Sequence, residues 1–173
     1  MKHLLRIVAV VGLSACGPSS EDIARNLSSD NPAIREDTAK IAKNFGSDEV
    51  EAALAKALTD PATQVRLNAI DSLVELEARS AVPALMEVVQ NDSSDVVKRE
   101  AVDALGELKD PQAVPVLIAY IEERKAERPP LNAIWALGFL EDVRALPILS
   151  ELRDHPDPYV AWNANQALRN LHP

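Results

Sequence analysis

What the sequence lacks narrows the field first. A single cysteine, Cys16, excludes an intrachain disulfide, a CxxC pair and a thiolate metal cage, so the fold is held by packing alone. Aromatic residues make up only 3% of the chain, two each of Trp, Tyr and Phe, and this leaves Ala, Leu and Val to fill the core. Small aliphatics suit closely packed helices better than a β-sandwich. Five Gly and twelve Pro are too few for a low-complexity or collagen-like chain. Basic charge is scarce, 18 Lys+Arg against 27 Asp+Glu for a net charge of −9, so neither phosphate neutralisation nor a polybasic patch is on offer. Nucleic acid is therefore not an expected partner. No apolar run reaches the roughly 20 residues that span a bilayer. What remains is a 173-residue chain, 47% hydrophobic, long enough for one domain with a real core. The expected class is all-α.

The first fifteen residues read as an export signal, with Lys2, His3 and Arg6 ahead of the apolar stretch Ile7 to Leu13. Leu13-Ser14-Ala15-Cys16 resembles the lipobox of bacterial lipoprotein precursors. That resemblance implies removal of residues 1–15, a thioether-linked diacylglycerol on Cys16 and, usually, acylation of the new amino terminus; two or three chains anchor stably in a bilayer where one does not. A free thiol behind an ordinary signal is the alternative. Cleavage removes Lys2 and Arg6 and no acid, which takes the charge from −9 to −11. Gly17 in place of Asp does not favour inner-membrane retention in the enterobacterial sorting pattern. The expected location is the cell envelope, at the outer membrane facing the periplasm if the source is Gram-negative. Residues 16–20 leave only Gly17, Pro18, Ser19 and Ser20 as a tether of at most about 14 Å.

The rest of the chain repeats. Anchors at Ile34, Val65, Val97, Pro129 and Val160 lie 31 or 32 residues apart. Four residues on from each come Thr38, Ala69, Ala101, Ala133 and Ala164; eight on, Ala42, Leu73, Leu105, Leu137 and Leu168; eleven on, Phe45, Leu76, Leu108, Leu140 and Leu171. These offsets trace one face of a helix. A second helix per unit is marked by Val50, Val82-Pro83, Val114-Pro115 and Leu146-Pro147, with Pro in the first turn and Ser80 or Asp110 upstream as caps. Its buried stripe is expected at Val82, Leu85, Met86 and Val89, repeated as Val114, Leu117, Ile118 and Ile121.

Asp60-Pro61 to Val65-Arg66, Ala104-Leu105-Gly106 with Ala113-Val114-Pro115, and Ala136-Leu137-Gly138 with Ala145-Leu146-Pro147 resemble HEAT repeats, most nearly the phycobilisome-lyase-like subgroup. The resemblance covers residues 21–171 and implies a right-handed α-solenoid of about four to five helical-hairpin repeats. Its parts are a capping helix at 21–29, repeats at about 30–59, 60–91, 92–123 and 124–153, and a polar terminal cap at 154–173, where Asn165 takes the place of Ile70, Val102 and Ile134. Nine or ten helices are expected, in a curve about 40 to 50 Å long at helix spacings of 8 to 10 Å.

In such solenoids the second helices line the concave face, so their residues off the buried stripe form the expected contact surface. These are Ala52, Ala55, Lys56, Ala84, Glu87, Val88, Val116, Ala119, Tyr120, Ile148 and Glu151, a groove for a peptide or helix, or else residues partly packed on neighbouring helices. Repeat four breaks the pattern with Glu127-Arg128-Pro129-Pro130 after the charged run Glu122-Glu123-Arg124-Lys125. Trp135 stands at an offset held elsewhere by Lys40, Asp71, Asp103 and Gln166, and is read either as a hot spot near Tyr159 and Trp162 or, preferably, as a cover packed on Pro129 and Pro130. The Arg35, Arg66 and Lys98 series reads as a ladder of turn contacts.

Catalytic signals are scarce. His3 lies in the signal, His155 and His172 stand apart from carboxylates at ligand spacing, and there is no HExxH, phosphate-binding glycine loop or G-x-S-x-G. HEAT-type hydroxylases bind iron through His-Glu pairs that are missing from this sequence, and no residue points to a chromophore. Gly106 and Gly138 read as close-packing or helix-end residues. The expectation is a non-catalytic scaffold without a cofactor, binding an envelope protein or peptide and anchored in the bilayer by acylated Cys16. A lyase-like accessory subunit for a cofactor-bearing protein, or a structural brace of an envelope complex, are the alternatives.

Overall fold

The computed structural model describes residues 17–126 and 128–171. The signal at 1–15, Cys16, Glu127 and His172 lie outside the described residues, and with them the lipidation expectation. Among the described residues there are ten α-helices and four short 3-10 turns, and no strand. The helices are α1 (Ser20–Leu27), α2 (Pro32–Ile41), α3 (Asp48–Ala57), α4 (Thr63–Glu75), α5 (Val82–Asn91), α6 (Asp95–Leu108), α7 (Val114–Arg124), α8 (Leu131–Leu140), α9 (Leu146–Leu152) and α10 (Pro158–Leu171).

Local chemistry starts several of them. Ser19 and Asp22 form a capping box on α1, and Asn31 accepts from the Ala33 N–H at 3.0 Å, with Pro32 in the first helical position of α2. Elsewhere an aspartate accepts the N–H two residues on: Asp60 from Ala62, Asp92 from Ser94, Asp110 from Gln112, Asp142 from Arg144 and Asp157 from Tyr159. Asp110 caps the 3-10 turn Pro111–Ala113 and not α7 itself, whose N-cap Ala113 makes no side-chain bond, and the Ser80 hydroxyl donates to Glu51 at 2.6 Å, so neither caps its second helix as expected.

Three of the anchor helices stop at a residue twelve beyond the anchor with left-handed backbone, Glu77, Lys109 and Glu141, each with φ near 50°. After α4 the bonds from Glu77 N–H to Val74 and from Ala78 N–H to Leu73 complete a Schellman motif. The only glycine at this offset is Gly46, and among the described residues no glycine has positive φ.

The chain divides into two compact units, residues 1–84 and 85–173. In the first, α1 packs on α2 and α3, and α4 packs on both α2 and α3. Ile23, Leu54, Leu58, Ile70 and Leu73 are fully buried between them, each worth about 1.5–3 kcal/mol. In the second, α8 lies between α6 and α10, with α7 against α8 and α9 against α10, around Leu105, Leu117, Ile121, Ile134, Leu137 and Leu149.

In this second unit the anchor helices approach closely because glycines face alanines. A Cβ on Gly106 would meet the Ala136 Cβ at 2.9 Å, and one on Gly138 would meet the Ala167 Cα and Cβ at 2.9 Å. Both glycines are therefore close-packing residues.

Candidate functional site

The buried stripe of the second helices differs from its expected course. Val88, Val116, Tyr120 and Ile148 are buried, with 3–5% exposure, whereas Met86 and Ile118 are only half-buried. These four are corrected from an open groove to the packed interior. The reason is that the second helices are apolar around most of their circumference, and such a helix is covered on more than one side. Glu87 and Glu151 remain exposed, Glu87 accepting from Asn91 at 2.9 Å and Glu151 from the Lys125 Nζ at 2.9 Å.

Large apolar side chains do stand in solvent elsewhere in the second unit. Tyr159 is 72% exposed, Trp162 60% and Trp135 41%, all on anchor helices α8 and α10. The Trp135 ring meets Phe139, with centroids 4.0 Å apart, and lies over Gly106. Helices α8 and α10 carry no acid and one base, Arg169, in a chain of −9. Three exposed rings on two helices of low charge, with the Lys109 ammonium 5.4 Å from the Phe139 ring centroid, have the composition of an interface centre.

Beside it, the break at repeat four opens a pocket of about 840 Å³. Helix α6 contributes Asp95, Val96, Arg99, Glu100 and Asp103; α7 contributes Tyr120 and Arg124; Arg128, Pro129, Pro130, Leu131 and Asn132 complete it. The Arg124 guanidinium lies 3.9 Å from the Tyr120 ring centroid and donates to Glu123 at 3.0 Å. Burial pushes the carboxyl of Asp103 up, against the hydrogen bond from Asn132 and the charge of Arg99. Burial likewise raises the Tyr120 hydroxyl. Sequence reading marked the loop but not Arg99, Asp103 or Arg124 as lining it. The legible signal was position five before the anchor, which reads Ser29, Asp60, Asp92, Arg124 and His155.

The Arg ladder is structural, as expected. Arg35 reaches both carboxylate oxygens of Asp60 and the carbonyls of Ser29 and Asp30. Arg66 donates to the Asp60 carbonyl at 2.8 Å, and Lys98 to the Gln90 carbonyl at 2.9 Å. His155 Nδ1 accepts from the Asp157 N–H, a turn contact. Among the described residues no three His, Cys, Asp or Glu gather as metal ligands, and no helix is long and apolar enough to cross a membrane.

Comparison with known proteins adds the architecture's relatives. The family model for HEAT repeats matches residues 21–106 and 82–169. A chain from the complex of CpcE and CpcF of the phycocyanin lyase of Nostoc sp. PCC7120 is similar at 24% identity and a TM-score of 0.74, over 93% of this chain and 68% of that one. An engineered protein is similar at 19% identity and a TM-score of 0.59, over 88% of this chain and 78% of its own. A designed armadillo repeat protein in complex with the peptide (KR)4 is similar at 18% identity and a TM-score of 0.59, over 97% of this chain and 91% of its own. No curated protein matches the chain.

Proposed function

The chain belongs to the HEAT-repeat family, and from that premise we propose that it is a non-catalytic scaffold holding another protein or peptide, carried at a bacterial envelope membrane by acylated Cys16. The observation that carries this reading is the exposure of Trp135, Tyr159 and Trp162 on the charge-poor helices α8 and α10. Leaving three large rings in water is unfavourable for an isolated domain, and their burial by a partner supplies the association energy that hot spots concentrate. Two of the similar structures hold a protein or a peptide partner, the CpcE–CpcF complex and the peptide-bound armadillo protein. Repeat proteins of this kind present extended surfaces on a rigid stack.

The test is cross-linking in the native envelope followed by recovery of a tagged full-length chain. Trp135→Ala with Trp162→Ala is expected to lose the partner while keeping the helical melt. Cys16→Ser is expected to move the chain to the soluble fraction. A partner recovered equally by the double variant overturns the assignment of the face.

The likeness to the phycocyanin lyase chain favours a second reading, an accessory subunit acting on a cofactor-bearing protein. Its sign is visible absorbance in material purified from the native source, or a recovered partner that itself carries a chromophore.

A further inference from the structure

We infer that the face formed by α8 and α10 docks a second copy of this chain, ring against ring, in a two-fold contact. The inference rests on the reading of that face as an interface and names its occupant.

The face is continuous across the two helices. Helix α10 presents Tyr159, Trp162, Asn163, Gln166 and Asn170 at helical spacing along one flank. Trp135 and Phe139 stand on α8 at the offsets from the anchor that Gln166 and Asn170 hold on α10, and the two helices pack against each other. Asn170 donates to the Gly138 carbonyl at 3.2 Å, which brings its side chain to the residue before Phe139.

Charge selects what can settle there. Two copies of a chain of −9 repel each other, so they meet best where the surface carries few charges. Helices α2, α4 and α6 each carry two or more acids, whereas α8 carries no charge and α10 only Arg169. Charges at the edge of the face are of both signs: Lys109 lies on the Phe139 ring, Asp103 accepts from Asn132, and Asp157 accepts from the Tyr159 N–H at 2.8 Å. A strongly basic partner finds more acid on α6, and an acidic one is repelled by the chain as a whole.

Symmetry sets a second condition. A two-fold contact lays a patch against itself, so its groups must pair with their own kind. Aromatic rings do so, offset or edge to face, and carboxamides do so because each both donates and accepts. At their observed exposures Trp135, Tyr159 and Trp162 leave about 400 Å² per copy in water. That is half of the roughly 800 Å² each partner gives to a standard interface, and Phe139 with the three amides extends the patch toward that size.

The experiment follows the full chain, purified in mild detergent, by sedimentation velocity on dilution, with the detergent mass subtracted. A concentration-dependent dimer is expected, and added salt should strengthen it by screening the repulsion between the copies. Trp135→Ala with Trp162→Ala is expected to raise the dissociation midpoint about tenfold or more. Gln166→Glu and Gln166→Lys leave the rings in place and are both expected to weaken the dimer, because either charge faces its own copy. They decide the matter if the alanine variant melts early. A chain that stays monomeric, a dimer dispersed by salt, one that gains from either Gln166 variant, or one untouched by all of them overturns the two-fold contact. If that happens while Trp135→Ala with Trp162→Ala still loses a different protein captured in the envelope, the interface reading stands with another occupant; if capture is unchanged as well, both fail.

Discussion

At the residue scale, repetition exposes the places where one side chain departs from its equivalents. Thr38 is fully buried at the offset that Ala69, Ala101, Ala133 and Ala164 occupy, and its hydroxyl finds no hydrogen-bond partner among the described residues. A buried unsatisfied hydroxyl costs about 1 kcal/mol or more. Thr38→Ala is therefore expected to raise stability by about 1 kcal/mol, read as a higher urea midpoint with an unchanged slope. Asp142 behaves in the opposite way. Hydrogen bonds from the Arg144 side chain and backbone hold its carboxyl at about 2, and Arg144 also donates to the Pro111 carbonyl at 2.7 Å. A carboxylate with a depressed pKa stabilises the fold above the ordinary range near about 4 and loses that contribution as pH falls toward about 2. Asp142→Asn is expected to flatten the acid limb of a plot of thermal midpoint against pH within that window. Arg144 is 50% exposed, so the cost at neutral pH stays below about 1 kcal/mol.

At the scale of the element, the anchor helices depend on absent side chains. Alanine is intrinsically the better helix former by about 1 kcal/mol, yet a methyl on Gly138 would sit 2.9 Å from the Ala167 backbone, which a rotamer change does not relieve. Gly138→Ala is expected to destabilise by about 1–3 kcal/mol in denaturant melts, because α8 and α10 must separate. The anchor positions and their offsets were legible because buried aliphatics recur every 31 or 32 residues. The helix stops were not. Glu77, Lys109 and Glu141 adopt the left-handed conformation that Gly usually takes, while Gly46, at the same offset, does not. The course of the second helices' stripe was ambiguous too, since Met86 and Val88, or Ile118 and Tyr120, are apolar alike and periodicity cannot rank them. Only the packed neighbours decide which of each pair is covered.

For the whole molecule, the period is carried by residues that face inward, and partner choice rests on residues that face outward, where no period applies. That is why the fold class could be read from spacing, while the pocket emerged only once α6, α7 and the turn after it were placed together. Arg124 was already the one base beside Ser29, Asp60, Asp92 and His155 at its offset, but meant little without the cavity beside it. The aromatic face has one more consequence. Of the chain's two tryptophans, Trp162 stands largely in water at 60% exposure, and Trp135, stacked on Phe139, is 41% exposed. Emission from Trp162 in the native protein is therefore expected close to that of the unfolded chain, red-shifted and open to ionic quenchers. Most of any change on denaturation would come from Trp135, while a blue shift of Trp162 would report something settling on α10.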